Sequence, residues 1–85
     1  MELTEKAITK MKHALGCDFM EPANGVQKYH RNFYAQRGTS DVWEELVAAG
    51  YATKREQFGE TVYHITDSGI KKLGAVLGVH FKEEK

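Results

Sequence analysis

The sequence predicts a small α+β domain with about three helices and a β-hairpin in its C-terminal half. Three observations predict it. Apolar residues recur at helical spacing in three places, each behind a hydroxyl or carboxylate cap. Gly16 and Gly50 stand where the first two helices should stop. Between the second and third helices, Tyr51 to Gln57 and Thr61 to Ile65 read as two strands around FGE, a hairpin with glycine at its turn.

Taken in order, Thr4 caps a first helix that runs to about Leu15, with Leu3, Ala7, Ile8, Met11 and Leu15 on one stripe. CDFMEPANG then reads as a loop, because Pro22 stands close to the turn-forming pair Asn24-Gly25. Residues 26–36, VQKYHRNFYAQ, fit two patterns. Alternation places Tyr29, Arg31, Phe33 and Ala35 on one strand face, while Val26, Tyr29, Phe33 and Tyr34 fit a helical stripe. Aromatic enrichment favours an extra short strand. Thr39, Ser40 and Asp41 form a dense N-cap region, and Glu44 follows Asp41 at capping-box spacing. Val42, Trp43, Leu46 and Val47 make that helix's apolar stripe. Thr66 caps the last helix, where Ile70, Leu73 and Leu77 should face the core. GVHFKEEK reads as a partly frayed end, with His80 or Phe81 tucked back.

One domain spanning residues 1–85 fits this length and the ordinary globular composition, 41% hydrophobic and 28% charged. The N-terminal MELTEKAITK lacks the zones of a signal peptide, and a lone cysteine, Cys17, fits a reducing compartment. A cytoplasmic protein is the expectation. Twelve basic residues balance twelve acidic ones, whereas a dedicated nucleic-acid binder usually carries a basic surplus. The balance is local rather than uniform: residues 25–40 hold Lys28, Arg31 and Arg37 with no acid, and the next ten hold Asp41, Glu44 and Glu45 with no base.

LVAAGYATKREQFGETVYHITDSGIKKL resembles the distal half of winged-helix domains in bacterial and phage regulators. In these, a helix ending "L…AG" feeds a β-hairpin wing and a helix opening "T-x-x-G" closes the domain. The likeness covers roughly residues 42–77. Together with YHRNFYAQ, the chain is also similar to small phage and prophage proteins of this length. The resemblance implies a winged-helix-like fold, nucleic-acid binding or regulation, and phage or prophage origin. A full winged-helix regulator has two helices before its recognition helix; between Gly16 and Thr39 this chain offers a loop and one ambiguous segment.

The predicted helix Ser40–Ala49 occupies the slot of a recognition helix, yet it supplies Asp41, Glu44 and Glu45 where base readers carry arginine, lysine or amides. Those acids suit a first helical turn and a solvated face. The basic candidates for phosphate or groove contact are Lys28, Arg31 and Arg37, Lys54 and Arg55 on the wing, and Lys71 and Lys72 on the last helix. The competing explanation is that exposed strands carry Lys and Arg to blunt their edges. Phe58, at the predicted wing tip, is either an interface anchor or folded back on its own strands.

Nothing in the sequence assembles an enzyme, cofactor or metal site. His13 and Cys17 are four apart but lack a second ligand pair, and Asp67-Ser68 near His64 matches a triad in composition only. His30 and His64 would approach each other if their strands paired. Two functions remain, nucleic-acid binding and a protein-interaction or assembly module (a homodimer included) on the same fold. Neither a membrane nor a small-molecule ligand is expected.

Overall fold

The computed structural model describes residues 2–17 and 21–84. Among them lie three helices and five strands, in the order α1 (Glu5–Leu15), β1 (Val26–Tyr29), β2 (Tyr34–Gln36), α2 (Asp41–Ala48), β3 (Ala52–Gln57), β4 (Glu60–Ile65), α3 (Asp67–Leu77) and β5 (His80–Glu83). No helix among the described residues is long and apolar enough to cross a membrane.

A hydroxyl starts each helix. Thr4 accepts from the Ala7 N–H, Ser40 from that of Trp43 and Thr66 from that of Gly69, which satisfies one of the donors a helix start leaves open. The capping box expected between Asp41 and Glu44 does not form. Ser40 is the cap, and the Glu44 carboxylate is drawn away to Lys54 and Tyr63. At the other end of α2, Gly50 in the left-handed region and Tyr51 return their N–H groups to Val47 and Leu46, closing the helix in a Schellman arrangement. Thr66 ties the hairpin shut: its hydroxyl donates to the Gly50 carbonyl at 2.8 Å and its N–H to that of Tyr51 at 3.0 Å.

The strands form two sheets. β2, β4 and β3 lie side by side in that order, all antiparallel, while β1 and β5 make a separate parallel pair. Residues 26–36 are therefore neither one helix nor one strand. They split into β1 and β2, which belong to different sheets, and Tyr29 no longer shares a face with Phe33 and Ala35. The chain end also departs from expectation. His80–Glu83 is strand rather than fray, held by His80 N–H to Gly25 carbonyl at 2.8 Å and Glu84 N–H to Tyr29 carbonyl at 2.7 Å. Of the loop predicted over CDFMEPANG, Asp18, Phe19 and Met20 lie outside the described residues, as does Lys85 of the tail. Asn24 and Gly25 do form a tight turn, across which Ala23 and Val26 exchange both hydrogen bonds.

The core sits between the helices and one face of the three-stranded sheet. Ala7, Met11, Ala14 and Leu15 of α1, Trp43 and Leu46 of α2, Tyr63 and Ile65 of β4, and Leu73 of α3 are buried there. Trp43 stacks on Tyr63 with ring centroids 5.3 Å apart, and the Tyr34 ring, tilted against the indole, lies 5.4 Å from it. Leu77 is an exception to the stripe expected for α3. It is exposed together with Val76, because the helix turns its Leu73–Gly74 side to β5. Gly74 is required there, since a Cβ would come within 2.6 Å of the Val79 carbonyl oxygen.

Candidate functional site

Side chains alternate across a sheet, so strand register decides which residues share a surface. Tyr34, Tyr63 and Lys54 are in register, as are Gln36, Thr61 and Glu56. These point to the helix side, where Tyr63 and Thr61 are buried. The intervening row, Ala35, Val62 and Arg55, points the other way with His64, Thr53, Gln57 and Glu60. No helix covers that outer face among the described residues; Arg55, Thr53, Gln57 and Ala35 are all exposed. Phe33, half exposed, lies at one end of it.

Phe58 lies at the other end. β3 and β4 are joined through Phe58 and Gly59 alone, with Gln57 opposite Glu60. Both turn residues have positive φ, 52° and 79°, which is the type I′ hairpin turn. The choice left open for Phe58 is resolved by its 93% exposure: the ring does not fold back on its strands. The open face between the two phenylalanines is a shallow depression of about 340 Å³, lined by Asn32, Phe33, Ala35, Arg55, Phe58 and Val62 among others. A smaller adjoining one, about 230 Å³, runs from Phe33 and Ala35 to Arg31 and His13.

The seven basic candidates do not converge as a group. Arg55 lines the open face and Arg31 the depression that adjoins it. The Arg31 guanidinium lies 5.7 Å from the Phe33 ring centroid and donates to the His13 carbonyl at 2.7 Å, at the end of α1. Arg37 is exposed and directly follows β2, at the end of the sheet where Gln36 pairs with Thr61 beside the hairpin turn. Lys54 faces the opposite way. Its ammonium donates to Glu44 at 2.6 Å, and the Tyr63 hydroxyl donates to the same carboxylate at 2.7 Å. The Lys54 hydrogen bond, followed by that from Tyr63, holds the Glu44 carboxyl below the usual glutamate range; the same bond raises Lys54. Burial pushes the Tyr63 hydroxyl up, and its bond to Glu44 adds to that. Lys54 is thus a strut between β3 and α2.

Lys28 lies on the other sheet, in register with Lys82 of β5. Lys71 lines a third depression, of about 360 Å³, between α3 and β5, together with Tyr29, Asp67 and Phe81. Lys72 is half-buried on the same helix. Sequence reasoning missed Phe33 as a surface residue. Its signal was the alternation with Ala35, which becomes readable only when β2 is separated from β1. His30 and His64 are not strand partners: His30 follows β1 and packs over Gly16, while His64 is paired with Thr53. Among the described residues, no group of three or more His, Cys, Asp or Glu is placed to hold a metal ion. In comparisons with known proteins, no family model, curated protein or solved structure matches the chain.

Proposed function

We propose that this chain is a non-enzymatic nucleic-acid-binding module on a winged-helix-like frame, and that it binds through the open face of its three-stranded sheet. What supports the frame is the element order: a helix, the strand β2, a second helix, a hairpin and a third helix, with β4 central in the sheet. The departure is upstream of α2, where β1 and β2 stand in place of a positioning helix. What argues against groove insertion by α2 is its chemistry. Asp41 and Glu45 are exposed on it, and Glu44 is committed to Lys54 and Tyr63; carboxylates facing phosphates repel them.

The observation that carries the proposal is the convergence of Arg31 and Arg55 with Phe33 and Phe58 around one uncovered face where Glu60 is the acid, with Arg37 exposed just past the end of β2. Guanidinium groups bind phosphates as bidentate forks, and aromatic rings offer contact to bases. A zero net charge is compatible with this, because the acids of α2 lie on another side of the sheet.

The test is fluorescence anisotropy of a labelled oligonucleotide across a salt series. Three arginine contacts give a log–log salt slope of roughly −2 to −3. The double variant Arg37→Glu/Arg55→Glu should lose binding, and Lys28→Glu/Lys71→Glu should keep it. No binding at low salt would overturn the proposal. Concentration-dependent self-association in sedimentation, lost in Phe58→Ala, would favour the protein-interaction reading for the same face.

A further inference from the structure

We infer that Phe58 is a stacking platform for an unpaired base, so that the ligand class is single-stranded nucleic acid rather than duplex. This rests on the nucleic-acid reading above. The first ground is conformational. Phe58 holds φ at 52°, in the left-handed region that disfavours a bulky side chain. Its ring is 93% exposed, so no packing offsets the strain. The chain contains a second turn with both central φ values positive, and there the first position is Asn24, φ 55°, the residue type that fits. The wing tip therefore carries a residue that folding disfavours twice, through its backbone and through its apolar exposure. Strain and exposed apolar surface of this kind belong to contact sites.

The second ground is the surface that the turn extends. Phe33 and Phe58 bracket the row Ala35, Val62 and Arg55, with Arg31 over the Phe33 ring. Phe33 precedes Tyr34, which pairs with Tyr63, so it lies level with His64; Phe58 lies just past Glu60. Five strand residues separate the two levels, about 17 Å, or roughly five stacked-base rises. Bases in a duplex are hidden from so shallow a face, whereas a splayed single strand presents rings to both phenylalanines and phosphates to the arginines.

The experiment compares a fluorescein-labelled oligodeoxythymidylate with an oligo(dA)·oligo(dT) duplex of the same length. The proteins are the wild type, Phe58→Asn and Phe58→Trp, each checked for folding by circular dichroism. The wild type should favour the single strand. Phe58→Asn should bind it at least about fivefold more weakly, a larger loss than for the duplex. Phe58→Trp should retain affinity, and its added tryptophan emission should be quenched by the single strand, Trp43 being fully buried. Single-strand binding unchanged in Phe58→Asn, or no quenching of Phe58→Trp, would overturn the stacking role while leaving the nucleic-acid reading intact. Absence of binding to either probe by the wild type would overturn both.

Discussion

Replacing Phe58 by Asn should make the protein more stable, although it removes a large apolar side chain. The left-handed conformation costs a β-carbon-bearing residue about 1–2 kcal/mol, and Asn bears much less of that cost. Burial normally opposes removing a phenylalanine, but a ring 93% exposed has almost no buried area to lose. The net expectation is a gain of about 1 kcal/mol, which for a domain of this size raises Tm by roughly 4–8 °C. The reciprocal change, Asn24→Phe, places the disfavoured residue in the other turn and should lower Tm by a similar amount. Both are read by thermal and urea denaturation with Trp43 fluorescence, since that ring is buried against Tyr63 and reports loss of the core. An unchanged or lowered Tm in Phe58→Asn would refute the reasoning, because it would mean that the ring makes stabilising contacts.

Asn32→Ala should cost about 2–3 kcal/mol in urea unfolding. The Asn32 amide both donates to the Ile65 carbonyl and accepts from the Ile65 N–H, each at 2.8 Å, so its loss leaves two main-chain groups at a buried residue without partners. Gly69→Ala should destabilise by about 3 kcal/mol despite the helix propensity of alanine, worth about 1. Its Cβ would collide with the Tyr51 carbonyl oxygen and approach Ile65 Cγ2 to 2.7 Å; the expected signature is a lower midpoint at an unchanged m-value. Glu44 gives a pH dependence. Its folded pKa is lowered by Lys54 first and Tyr63 next. Its stabilisation is therefore complete above the ordinary glutamate range and is lost as pH falls through the depressed folded value. Lys54 and Tyr63 are raised, so theirs is present below their ordinary ranges and lost as pH rises through the raised values. Melts across pH should show Glu44→Gln with a flatter acid limb; an identical limb would mean that the carboxylate is not paired in solution.

The features legible in the sequence were those set by neighbours along the chain. Thr4 and Thr66 cap where expected because a cap needs only the next three residues. Gly59 marked the hairpin for a similarly local reason. The parts that were not legible depend on distant partners. Glu44 fits a capping box by spacing, but Lys54 and Tyr63, ten and nineteen residues away, take its carboxylate. VHFK carries too short a pattern to announce a strand, and β5 exists because β1 lies alongside it. The candidate surface was legible only in its tip. Adjacent residues Lys54 and Arg55 look equivalent in sequence, yet register sends one to a carboxylate and the other to the open face. Phe33 and Arg31 joined that face through a break between β1 and β2 that no local signal marks.

In the proposed function the open sheet face, not α2, meets the ligand. Titrating the isotopically labelled protein with an unlabelled oligodeoxythymidylate, and following amide and aromatic NMR shifts, tests it most directly. Shifts should concentrate at Phe33, Ala35, Arg55, Phe58, Val62 and His64, with Asp41–Ala48 unmoved. Shifts centred on α2, or on Lys28, Lys71 and Lys82, would contradict it.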